Sequence, residues 1–197
     1  MTFQEIRAEV EDRGYQYIPQ ARLDKWIKQA YEYVCAQEPW PFLETETTGA
    51  APLTISNLSQ VLWIGYEDVT LRGTDLRDIR DRDPDLDDTG DPTHWYLDGN
   101  TIKTWPTSDK TLYVRFIQKP PTYTDVDEPL IPSAYQEVII DGAVMRGLKD
   151  NDEYDTAQAL QVSIERDIQA MRDALMVRNY QNPQTLVQSG IFEDYIA

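Results

Sequence analysis

One cysteine, Cys35, and one histidine, His94, stand in 197 residues. Counting alone therefore excludes an intramolecular disulfide and every Cys- or His-rich zinc site. A lone thiol fits a reducing compartment. Basic residues are also scarce: 18 Lys and Arg against 35 Asp and Glu give a net charge of −17 and an isoelectric point near 4.3. A binder of the phosphate backbone depends on basic neutralisation, so this balance argues against general nucleic-acid binding. No apolar run has the length of a membrane-spanning helix, and Met1 to Arg13 alternates charge with hydrophobe where a targeting signal has a basic and then an apolar region. Neither secretion nor membrane insertion is expected. The 9 glycines are dispersed, which leaves no phosphate-cradling loop. Against these absences stand 41% hydrophobic residues, with 5 Trp and 12 Tyr, enough to bury a core despite the charge.

Helical signals open and close the chain. Thr2 with Glu5 forms a capping box, Phe3, Ile6 and Val10 follow at helical spacing, and Gly14 stops the segment, predicting a helix over 2–13. Pro19 suits a first turn, and Leu23, Ile27, Ala30, Tyr31 and Val34 make the apolar stripe of a second helix over 19–38, ended by Pro39. That stripe calls for a partner helix. Pro132 opens a third helix over 132–149 whose face carries Tyr135, Ile139, Gly142, Ala143, Met145 and Arg146. The small Gly142 and Ala143 permit another helix to approach closely. After a polar turn, Ala157, Leu160, Ile164, Ile168, Met171 and Leu175 predict a fourth helix over 153–178, an αα-hairpin with the third.

Between the helical stretches, Trp40 to Pro52 reads as a Thr-rich connector, and a β region follows over 53–119. Leu53 to Ile55, Val61 to Tyr66 and Val69 to Leu71 carry strand signals. His94 to Leu97 and Thr101 to Trp105 flank Asp98, Gly99 and Asn100, a hairpin turn needing positive φ. Leu112, Val114 and Phe116 alternate in a further strand ended by Pro120 and Pro121. The chain thus reads as α+β, without internal repeats. A helical bundle core of two helical pairs has a small antiparallel β region inserted between them, all within a single domain over 1–179, and an extended C-terminal tail follows over 180–197. In that tail Pro183 blocks helix continuation and Gly190 permits a bend. Leu186, Val187, Ile191, Phe192, Tyr195 and Ile196 place large apolar groups on a segment too short to form its own core, and are read as partner-binding residues.

Residues that could carry chemistry are few. Asp81 to Asp91 offers alternating carboxylates, yet with Asp83 as first calcium ligand, Asp88 falls where the loop requires Gly and His94 where it requires the bidentate Glu. A solvated acidic loop is the expectation. His94 is the sole imidazole base for a nucleophile such as Ser56, Ser59 or Ser108, and no motif joins them; its place beside Trp95 and Tyr96 reads as structural. Cys35, beside Val34 on an apolar stripe, reads as a buried inert thiol. No catalytic residue, metal or cofactor is expected.

A resemblance supplies the function. Arg22-Leu-Asp-Lys-Trp26-Ile27-Lys-Gln-Ala30-Tyr31 followed by Trp40-Pro41-Phe42-Leu43 resembles the opening of head-to-tail adaptor (connector) proteins of tailed bacteriophages. Thr89-Gly-Asp-Pro92-Thr-His94-Trp-Tyr96-Leu97, Trp105-Pro106, Val114-Arg115-Phe116 and Lys119-Pro120-Pro121 resemble the β region of that family. Pro129-Leu-Ile131-Pro132-Ser-Ala-Tyr135, Gly142-Ala143, Arg146 and the helix containing Met171 resemble its C-terminal helical pair. The matches run in order from about residue 2 to 178. Departures are Lys28 and Gln29, where Asn is frequent after Trp-Ile, and Gln136, where His often follows Tyr. Trp26, Tyr31, Trp40 and Tyr135 are read as packing residues that hold the helices and sheet together. The resemblance implies a structural virion protein at the head-tail junction, a ring of about a dozen copies under the portal protein. It would extend the DNA channel without specific DNA binding and offer a platform to a tail or stopper protein. An alternative in the enzyme class is a virion-associated cell-wall hydrolase using a carboxylate pair.

Overall fold

Thr2 and Glu5 cap each other as the sequence predicts: the Thr2 hydroxyl accepts from the Glu5 N–H at 3.2 Å, and the Glu5 carboxylate accepts from the Thr2 N–H at 2.7 Å. The computed structural model describes residues 1–180 of the chain. It divides into a helical unit, residues 1–43 with 120–180, and a sheet unit, residues 44–119.

In the helical unit, α1 (Phe3–Val10) widens into a π turn over Glu11–Tyr15, where Gly14 takes a φ of 106°. That left-handed value costs a glycine nothing. The N–H groups of Phe3 and Gln4, unpaired within the helix, donate to the carbonyls of Asp127 and Asp125 at 3.0 Å and tie the polar stretch 122–128 onto the helix start. Pro19 takes the N-cap place, so α2 begins one residue later and spans Gln20–Cys35. Trp40 is fully buried and its indole N–H donates to the Val34 carbonyl at 2.7 Å. Pro132 leads into a single 3₁₀ turn, Ser133–Tyr135, before α4 (Glu137–Asp150); α5 (Tyr154–Tyr180) follows and packs against α4. α4 is contacted by α1, α2 and α5, and the stripe of α2 finds its main partner in α4. Gly142 is the reason these two helices approach closely: a Cβ there would lie 2.8 Å from the Ala30 Cβ.

Arginine–carboxylate pairs lace the same unit. Arg7 bridges Asp24 at 2.6 Å and Asp125 at 2.5 Å, Arg13 pairs with Glu137 and Asp141, and Arg22 meets Asp150 at 2.8 Å. The Trp26 indole also donates to Asp150, at 3.1 Å. Trp26, Tyr31 and Trp40 are buried within this unit, whereas Tyr135 is only half-buried.

The sheet unit departs from the expectation in three ways. The connector read from Trp40 to Pro52 contains β1 (Glu44–Ala50), which pairs along its whole length with a later strand. The single small antiparallel sheet is two four-stranded sheets. The first has the order β1-β8-β3-β4, with β3 at Leu58–Tyr66, β4 at Val69–Thr70 and β8 at Thr111–Gln118, all antiparallel. The second has the order β2-β7-β6-β5, with β2 at Leu53–Thr54, β5 at Arg72–Gly73, β6 at His94–Asp98 and β7 at Thr101–Trp105. In it β5 and β6 run parallel. Third, α3 (Leu76–Arg80) interrupts the β region, capped by the Asp75 carboxylate on the Arg77 N–H at 2.8 Å. The predicted hairpin is present: Asp98 pairs with Thr101, and Gly99, with φ 62°, takes the first central position that a II′ turn reserves for glycine. Leu112, Val114 and Phe116 of β8 join Ile64, Ile102 and Leu58 in one core fed by both sheets.

Candidate interaction surfaces

The residues with chemical potential are absorbed by structure. The His94 Nδ1 lies 2.8 Å from the Thr93 hydroxyl, and its ring packs at 5.8 Å from that of Trp105. Among the described residues no serine hydroxyl hydrogen-bonds it, so Ser56, Ser59 and Ser108 are not brought into a nucleophile–base pair. Cys35 is buried on α2, and burial pushes its thiol up to about 12, against a lesser opposing hydrogen bond from Tyr31. Such a thiol stays protonated and unreactive near neutrality.

The acidic loop corrects the expectation of uniform solvation. Asp83 is buried, and its Oδ1 accepts from the Asp87 N–H at 3.4 Å while its Oδ2 accepts from the Asp88 N–H at 3.2 Å and the Trp105 indole at 2.9 Å. Burial raises its carboxyl, but the donors, led by Trp105 and followed by the backbone of Asp88, Asp87 and Leu86, outweigh it and hold the group below its ordinary value. Asp83 thus anchors the loop to the end of β7. Asp87 and Asp88 are exposed beside it, their carboxylate oxygens and that of Asp83 within 4.8 Å of one another.

Besides an open depression at Gly73, Asp75 and Trp95 in the sheet unit, three concave surfaces stand out among the described residues. A cleft of about 430 Å³ in the helical unit is bordered by Lys25, Lys28, Pro120, Pro121 and Tyr123. Its acids Asp24 and Asp125 are held by Arg7, and Lys28 pairs with Glu32 at 3.9 Å. A smaller depression of about 290 Å³ on the first sheet carries Trp63, Tyr113 and Arg115, the last paired with Glu44. The third, about 170 Å³, opens between α2, α4 and α5. Its apolar wall is Ala30, Val34, Val138 and Ile164, and Met145, Arg146 and Lys149 stand beside it, with Tyr33, Gly142 and Gln161 also in the lining.

Arg146 differs from the other partly buried arginines. One terminal N–H donates to the Gln29 carbonyl at 3.2 Å, its buried Nε has no hydrogen-bond partner, and among the described residues no carboxylate lies within ion-pair distance. Burial pulls its guanidinium below the ordinary value, opposed by Tyr33. Arg172 also has a buried unpartnered Nε, but its charge is answered by Glu38 at 2.6 Å. Arg146 stands on the predicted face of the third helix. Lys149, one turn further along that face, is missing from the residues read on it, although the i, i+3 spacing joins the two. The six tail residues read as partner-binding, Leu186, Val187, Ile191, Phe192, Tyr195 and Ile196, lie outside the described residues.

A comparison with curated proteins finds no match. The family model described as SU10 adaptor protein matches residues 1–187, from the capping box of α1 into the tail. With an α+β fold and nearly the whole chain matched, the protein belongs to the SU10 adaptor protein family, structural adaptor proteins of bacteriophage virions.

Proposed function

We propose that this adaptor assembles beneath the portal vertex as a ring of about a dozen copies joined by repeated head-to-tail contacts. The ring continues the DNA channel and presents a platform to the next tail or stopper component at the virion neck. The observation that carries this reading is the adaptor family match across residues 1–187. The laced helices supply a rigid body, and the helical pairs that precede and follow the β region in sequence are read as parts of a single adaptor domain over 1–179. A charge of −17 per copy gives a channel wall that repels passing DNA without gripping it. In this reading the tail over 180–197 is a docking peptide. Leu186, Val187, Ile191, Phe192, Tyr195 and Ile196 seek grooves on the portal or a neighbouring adaptor, with Phe192 and Tyr195 as anchors, because buried aromatics concentrate binding energy. Mixing the purified chain with its portal tests the assembly: a complex visible as a ring on one face of the portal is expected, and two components that sediment separately at high concentration contradict it.

A further inference from the structure

A ring built from identical head-to-tail contacts needs two different, mutually complementary surfaces on every copy. The socket between α2, α4 and α5 is one surface whose complement can be specified. Its volume of about 170 Å³ is close to that of an apolar cavity of about 150 Å³ that holds a single benzene ring. Beside the apolar wall sits Arg146, partly desolvated, its Nε unpartnered and its charge unanswered by any described carboxylate. Leaving a buried charge unpaired is costly, and a carboxylate brought to it recovers a charge-assisted hydrogen bond. Lys149 adds a second positive charge at the same mouth; among the described residues its ammonium reaches only the neutral Gln161 side chain, at 3.4 Å. The fitting ligand is therefore a peptide in which an aromatic ring adjoins carboxylates and no cation intervenes.

The chain carries that peptide itself. Residues 181–197 contain two acids, Glu193 and Asp194, and no base, and the acids sit between Ile191-Phe192 and Tyr195-Ile196. We propose that the socket of each copy receives the C-terminal segment of the neighbouring copy, with the Phe192 ring against the apolar wall and Glu193 or Asp194 on Arg146. This inference rests on the ring reading, which supplies the neighbouring copy, and it assigns the tail to an adaptor in preference to the portal.

Photo-crosslinking of the full chain in concentrated solution tests it, with Phe192→benzoylphenylalanine and a mixture of ordinary and nitrogen-15-labelled copies. Crosslinks between copies that map to the peptides bearing Ala30–Val34, Val138–Arg146 or Gln161–Ile164 are expected. Arg146→Glu should lower their yield about tenfold or more, the loss of one charge-assisted hydrogen bond, and a joint Glu193→Arg and Asp194→Arg change should restore it. Arg146→Met, which keeps the aliphatic packing, separates loss of charge from loss of fold and should lower the yield with an unchanged unfolding temperature. Crosslinks confined to one copy, crosslinks elsewhere, no crosslinks, or a yield indifferent to Arg146 would overturn the proposal. Imaging of the neck is independent of this outcome: a ring with an empty crosslink map removes only the socket assignment, and a crosslink without a neck ring removes only the ring.

Discussion

Two side-chain arrangements carry predictions at the residue scale. Gly142 lets α4 touch α2 at Ala30, so Gly142→Val inserts atoms where none fit, and a loss of roughly 1–3 kcal/mol is expected from overpacking. Thermal unfolding measures it; a variant as stable as the parent would mean that the helices are not held at this separation. Asp83 answers to pH. Its carboxyl is held below the ordinary value of 3.8 in the folded state, so its stabilisation is present above the unfolded value and is lost as pH falls through the lower folded value. Asp83→Asn should therefore be less stable than the parent at neutral pH, and the two should converge as the pH falls below about 3.8. A constant difference between them down to low pH would show that the Trp105 and backbone donors do not favour the charged form.

Elements differ in how far they can be read from residues alone. The four predicted helices were legible because each carries its own stripe: the capping box at Thr2, the apolar run of α2 and the small pair Gly142-Ala143 all act as periodicity requires, whereas α3, at 5 residues, is too short to show one. β8 and the β6–β7 hairpin were legible for the same reason, with Leu112, Val114 and Phe116 alternating inward and Gly99 at the turn. β1 was not. Its residues, Glu-Thr-Glu-Thr-Thr-Gly-Ala, have no apolar alternation, and pairing with β8 over all seven positions imposes the strand from outside. β5 is two residues long and joins β6 in parallel, a relation that no local pattern encodes. The socket was legible only in part: Arg146 lay on a predicted face, but the partner elements that leave it unanswered come from distant sequence. Amide exchange tests this ordering. β8, flanked by β1 and β3, should exchange most slowly in its sheet, and the β1 edge and β4 faster. Exchange in β8 as fast as at the edges would contradict the sheet order.

For the whole molecule the net charge of −17 sets the first expectation: no measurable affinity for free duplex DNA even at low salt, where a basic protein binds most tightly. Micromolar, salt-sensitive gel shifts would reveal a basic patch that the overall balance conceals. Removing residues 183–197 should leave thermal unfolding of the subunit nearly unchanged while weakening its assembly into the neck; a large loss of stability would mean that the tail belongs to the subunit's own core. In the proposed ring this chain joins head to tail. Electron cryo-microscopy of intact virions measures it directly: density for about a dozen copies of this α+β subunit encircling the channel beneath the portal is the predicted result, and finding the chain in the capsid shell, or absent from particles, would contradict it.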